Sequence, residues 1–124
     1  VSGDTPRILV VEDEAGIRET IVEILMEEGY SVTVAADGVE ALTAVAAAAP
    51  DAILLDLMLP RLDGFGVAAE LQQRGLRPGI PIVVATADGH AREKATRIGA
   101  EAWLAKPFTI DALLAAVAQA LTTG

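Results

Sequence analysis

Four apolar runs in this chain end on polar residues whose types could do chemistry together. Glu12 and Asp13 follow "ILVV", Asp56 follows "AILL", Thr86 follows "IPIVVA", and Lys106 follows "AWLA". If the runs are strands of one parallel sheet, their C-terminal ends share one edge, and ligands bind outside that edge. Neighbouring strands lie about 4.8 Å apart, so Asp13 and Asp56 would face each other with Glu12 close by. Clustered carboxylates repel, and each is driven to take a proton unless a cation neutralises them. Mg²⁺ suits such a site because it prefers hard oxygen ligands and keeps several waters, with Mn²⁺ as a substitute. The cluster offers no nitrogen or sulfur ligand, which argues against zinc. Beside a bound ion, the Asp56 carboxylate can act as a nucleophile on phosphorus. Thr86 and Lys106 would flank it, the ammonium offsetting charge on a transferring phosphoryl group.

The elements that must position these residues follow from hydrophobic periodicity, which alternates between short runs and helical spacing. Ile8 to Val11 and Ala52 to Leu55 are uninterrupted, as strands buried on both faces should be. Ile17, Ile21, Ile24 and Leu25 recur at helical spacing until Gly29. Val32 and Val34 alternate with polar neighbours, as in a half-exposed edge strand. Leu42 and Val45 lie on an alanine-rich helix ended by Pro50, and Asp63 caps a third helix that ends near Gly75. A fourth strand spans Ile80 to Ala85, with Pro81 tolerable near its start. Residues 89 to 99 place only Ala91, Ala95 and Ile98 on one face, so that helix should be weakly anchored and mobile. Ala102 to Ala105 form the fifth strand, and Ile110, Leu113, Leu114, Val117 and Leu121 define the last helix.

Five strands alternating with helices imply an α/β sandwich of three layers with right-handed crossovers. The first, third and fourth strands are the most apolar and belong at the centre. The flavodoxin-like (βα)5 order 2-1-3-4-5 fits that better than a Rossmann order. At 124 residues the chain has the size of one domain, 1–124, with an ordered core of about 7–122. A net charge of -9 disfavours phosphate backbones and acidic membrane surfaces, so direct nucleic-acid or membrane binding is not expected. The absence of cysteine excludes a disulfide framework and thiolate chemistry. No apolar stretch is long enough to span a bilayer, and "VSGDTPR" lacks a signal-peptide core, so a cytoplasmic location is expected. Beginning without methionine and ending in "LTTG", the chain reads as a fragment with neighbouring domains absent.

The stretches "ILVVEDE", "LLDLMLPRLDGF", "PIVVATA" and "GAEAWLAKPF" together resemble the receiver domains of two-component response regulators, over nearly the whole chain. The resemblance implies that Asp56 is the phosphoacceptor and that Glu12 and Asp13 are the acidic metal pair. It implies that the backbone carbonyl of Met58 completes the metal shell, that Thr86 is a switch hydroxyl, and that Lys106 binds the phosphoryl group. A cis bond between Lys106 and Pro107 is implied as well, and Trp103 matches the position of a switch aromatic. A sensor histidine kinase, a phosphotransfer protein or a small phosphodonor would load Asp56. The partner face would be that of the fourth helix, fifth strand and last helix, used for a downstream effector, an appended output domain or a homodimer. The protein would catalyse its own phosphorylation and dephosphorylation without being a turnover enzyme in the usual sense.

Blander readings stand beside these. Glu12 has a weaker reading as a solvated turn residue and Thr86 as a strand-end hydroxyl; Lys106 taken alone reads as a surface lysine, and Trp103 reads equally as core packing. His90 reads as a solvated helix-start residue without a catalytic role, and "DGFG" as a helix entry. A pseudo-receiver that is never phosphorylated remains an alternative. A phosphohydrolase is a weaker one, since such enzymes resemble Asp-x-Asp and position 58 is Met. Dinucleotide binding fails because "VVEDEAG" offers carboxylates where a glycine-rich cradle is needed.

Overall fold

A computed structural model of the chain describes residues 5–77 and 79–123. The residues before Thr5, on which part of the signal-peptide reading rests, lie outside it. Strands and helices alternate: β1 (Arg7–Val11), α1 (Ala15–Glu27), β2 (Ser31–Ala35), α2 (Gly38–Ala47), β3 (Ala52–Asp56), α3 (Gly64–Gln73), β4 (Ile82–Thr86), α4 (Ala91–Ile98), β5 (Ala102–Ala105) and α5 (Ile110–Thr123). The strands pair in parallel in the order β2-β1-β3-β4-β5, the flavodoxin-like arrangement.

Both faces of the sheet are covered, which is why the central strands read as continuous apolar runs. All five residues of β3 and of β4 are buried. Leu9, Ile53, Leu55, Ile82 and Val84 pack on one side with α2, α3 and Ala95 of α4. Ile8, Val10, Leu54 and Val83 pack on the other with Ile21 and Leu25 of α1 and Leu113, Val117 and Ala120 of α5. Each fully buried Leu or Ile contributes about 1.5–3 kcal/mol relative to exposure.

Several boundaries differ from the sequence reading. The fourth strand starts at Ile82, not Ile80, because Pro81 has no N–H to donate to the ladder; its carbonyl still accepts from Ile53 N–H at 3.0 Å. Thr86 is the last residue of β4 and Asp56 the last of β3, so both are held inside the ladder rather than beyond it. Val34 is 50% exposed and Ile110 57% exposed, so neither joins the core. Val34 lies on the edge strand β2, most of whose residues are exposed, and Ile110 opens its helix ahead of the inward residue Leu113. The second helix ends at Ala47, three residues before Pro50. The eight-residue α4 buries only Ala91 and Ala95, the weak anchorage its sequence implies.

Candidate functional site

Register brings the polar residues to one level. Val11 pairs with Leu55, Asp56 with Ala85, and Thr86 with Ala105. Continuing each strand by one residue sets Glu12 beside Asp56 and Lys106 beyond Thr86. The carboxylates of Glu12, Asp13 and Asp56 each offer an oxygen, all within 4.8 Å of one another. Glu12 is only 3% exposed, which removes its reading as a solvated turn residue; Asp56 is 6% exposed and Asp13 lies at the surface.

Lys106 ties the cluster together. Its Nζ donates to Glu12 Oε1 at 2.6 Å and to Asp56 Oδ2 at 3.0 Å. Asp56 Oδ1 accepts from the Met58 N–H at 3.0 Å, so both oxygens of this carboxylate are oriented. Burial raises the pKa of Glu12 above the usual 4.5, outweighing the Lys106 hydrogen bond that lowers it; the Asp56 charge adds to the rise. Burial works in the opposite sense on Lys106, but its bonds to Glu12 and Asp56 and their charges prevail and raise its pKa above 10.5. Glu12 is thus a carboxylate that its surroundings under-compensate, which is the condition a divalent cation relieves. An all-oxygen donor set of three carboxylates fits Mg²⁺.

Other contacts fix the backbone here. Arg18 of α1 donates from Nη1 to the Glu12 carbonyl at 2.9 Å, and the Glu14 N–H donates to Glu12 Oε2 at 3.2 Å. The Lys106–Pro107 bond is cis. A cleft of ≈ 950 Å³ opens beside the cluster, reaching Asp56, Met58 and Lys106 and continuing along Ile17 and Ile24 of α1 to Phe108. A donor group therefore has access to Asp56 despite its burial.

Thr86 and Trp103 are not brought into this cluster. Strand alternation groups Thr86 with Ile82 and Val84, on the α2–α4 side of the sheet. Glu12 and Asp56 fall in step with Val10 and Leu54 on the other side. Thr86 Oγ1 is buried and finds no hydrogen-bond partner among the described residues. Its link to the cluster is through backbone, the Lys106 N–H donating to its carbonyl at 2.9 Å. Trp103 pairs with Val84 and so shares the Thr86 side, but at 47% exposed it is not core packing. His90 is an exposed residue at the N-cap of α4.

The chain matches the family described as response regulator receiver domain over residues 8–118. It belongs to that family. The receiver is 46% identical over 111 residues to response regulator MprA of Mycobacterium tuberculosis, a match covering 88% of this chain and 47% of the relative. It therefore spans about half the length of the curated relatives it matches. Among solved structures, the receiver domain of NtrX from Brucella abortus aligns with a TM-score of 0.86 at 36% identity, covering 94% of this chain and 99% of that one. A putative response regulator from Chloroflexus aurantiacus aligns at 0.90 and 33% identity, covering 96% and 99%. Receivers are signalling domains of two-component systems. Among the described residues, no helix is long and apolar enough to cross a membrane.

Sequence reasoning missed Arg18 and also Asp37, whose side chain caps α2 by accepting from the Glu40 N–H at 2.8 Å. The signal for Asp37 was present, since "DGVE" has the spacing of a capping box and Glu40 reaches back to the Ala36 N–H at 2.9 Å. Arg77 was missed too. Its Nη1 lies 2.8 Å from Glu101 Oε1 and its Nη2 donates to the Gly99 carbonyl at 2.6 Å, pinning the C-terminal end of α4.

Proposed function

We propose that residues 7–122 form one receiver unit that acts as a phosphorylation-dependent switch, with Asp56 as the phosphoacceptor. The observation that carries this reading is Asp56 held by Lys106 and Met58 N–H within one cluster of three carboxylates. Glu12, Asp13, Asp56 and the Met58 carbonyl would hold Mg²⁺, or Mn²⁺ in its place. The ion would neutralise the carboxylates and draw phosphoryl oxygens toward Asp56.

One Asp56 oxygen attacks phosphorus. The new O–P bond yields an acyl phosphate, and the bond to the donor breaks with its electron pair leaving on the donor atom. The donor is a phosphohistidine of a kinase or phosphotransfer protein, or a small acyl phosphate. Lys106 follows the negative charge onto the transferred group. Water later cleaves the acyl phosphate and resets the switch. In the phosphorylated state the added charge and acceptor oxygens offer the Thr86 hydroxyl a partner, pulling on the loop after β4 and biasing α4 and Trp103. The α4–β5–α5 face then presents a changed surface to an effector, an output domain or a second copy.

Incubation with acetyl phosphate and Mg²⁺ is expected to add one phosphoryl group by intact mass. The adduct should be absent with EDTA and in Asp56→Asn. No adduct with any donor would make the chain a pseudo-receiver, and multiple-turnover phosphate release without an accumulating adduct would make it a hydrolase.

A further inference from the structure

The loop that follows Asp56 contains the one non-glycine positive φ among the described residues, Arg61 at 65°. Arg61 stands at the centre of a three-residue turn closed by the Leu62 N–H donating to the Pro60 carbonyl at 2.7 Å. Turns of this kind with positive φ at the centre are rare and strained. An arginine persists there only where its surroundings hold it, and such held strain concentrates at functional sites.

The N-terminus of α2 supplies the restraint. Arg61 Nε lies 3.2 Å from Asp37 Oδ2, while Asp37 Oδ1 caps α2 through the Glu40 N–H. Asp37 is 8% exposed, so it is a fixed anchor rather than a mobile surface group. Beside it, Gly38 lies so close to the loop that a Cβ there would come within 2.0 Å of the Leu62 carbonyl oxygen. The other end of the loop is fixed at Leu57, whose N–H donates to Ala85 at 3.3 Å and whose carbonyl accepts from Gly64 at 3.1 Å. Met58 lies between these two restraints.

We infer that the Asp37–Arg61 pair is a positioning device for the divalent-ion site, holding the strained turn so that the Met58 backbone keeps its place beside Glu12, Asp13 and Asp56. The inference rests on the proposed metal-binding reading of the cluster. Mg²⁺ demands near-ideal octahedral geometry, so a turn that relaxes three residues downstream of a carbonyl ligand weakens the site. The Arg61 side chain is 59% exposed and that of Asp37 11%; the pair is open to water at its arginine end, and Asp37 keeps the Glu40 N–H without it, so its share of global stability is small. The effect of the pair therefore falls on affinity rather than on melting.

Calorimetric titration of the metal-free protein with Mg²⁺ alone tests this. Arg61→Met is expected to raise the dissociation constant about three- to fivefold with little change in melting temperature. Arg61→Lys, which keeps the charge, should stay near wild type. Asp37→Asn, which keeps a good N-cap, should match Arg61→Met, and the double variant should lose no more than either single one. Wild-type affinity in Arg61→Met, or equal loss in Arg61→Lys, overturns the inference alone. Failure of the wild-type protein to bind Mg²⁺ overturns the underlying reading with it.

Discussion

Lys106→Met is expected to slow phosphoryl transfer to Asp56 about a hundredfold or more and to destabilise the metal-free fold by about 2 kcal/mol near neutral pH. Lys106 is the only cation hydrogen-bonded to the side-chain carboxylates of Glu12 and Asp56 among the described residues. Removing it leaves two buried carboxylates with only the backbone N–H groups of Glu14 and Met58 and no compensating charge, and takes away the charge proposed to follow the phosphoryl group. Breaking a buried pair costs about 3–5 kcal/mol; the value expected here is lower because the cleft admits water and Glu12 can take a proton. Stability should therefore depend on pH in a definite sense. A raised Glu12 pKa means that stability is present below 4.5 and is lost as pH rises through the folded value. Without the Lys106 bond that value rises further, so the deficit opens as pH increases from below 4.5 and narrows again on acidification. Saturating Mg²⁺ should also narrow it. In the wild type, Lys106 adds stability that is complete below 10.5 and lost only as pH passes through its raised value. Urea unfolding of both proteins in EDTA across pH, with phosphorylation rates followed by mass, checks these expectations. A deficit independent of pH and metal would show that Lys106 acts by packing alone.

Thr86→Val should separate stability from switching. The buried Thr86 hydroxyl has no partner among the described residues, and an unsatisfied buried polar group costs about 1–3 kcal/mol. Valine keeps the branched shape favoured in a strand, so the unphosphorylated variant is expected to be more stable by about 1 kcal/mol. It should still accept a phosphoryl group, since the Thr86 hydroxyl makes no hydrogen bond to Asp56. Without the hydroxyl, however, the acyl phosphate has nothing to draw toward itself on the α4 side of the sheet. Hydrogen exchange at Ala91–Ile98 should change on phosphorylation in the wild type and stay flat in the variant. A destabilised Thr86→Val, or an α4 that responds as the wild type does, would contradict the role assigned to this hydroxyl.

Sheet order was legible because burial leaves a direct mark on sequence. Strands covered on both faces must be apolar along their length, and β3 and β4 are up to their last residues, Asp56 and Thr86, whereas the alternating Val32 and Val34 marked β2 as an edge. The location of Glu12, Asp56 and Lys106 was legible for the same reason, since a parallel sheet carries every strand's C-terminal end to one rim. What stayed hidden depended on side-chain direction or on partners far away in sequence. Alternation along β4 puts Thr86 on the opposite side from Asp56, a consequence of one residue of strand register that an apolar run does not reveal. The salt bridge of Asp37 and Arg61 joins two loops through a conformation that arginine seldom adopts. Ile110 and Val34 are apolar and exposed, and composition alone cannot distinguish such residues from core.

The central claim is that the reactive group is the carboxylate at position 56, acting with a divalent ion. The most direct measurement is borohydride reduction of the protein after incubation with acetyl phosphate and Mg²⁺, followed by peptide mapping. Reduction of an acyl phosphate converts an aspartate to homoserine, so the account predicts that conversion at Asp56 alone, and none when EDTA is present. Homoserine at Asp13, or an unmodified Asp56 under conditions that load other receivers, would contradict it.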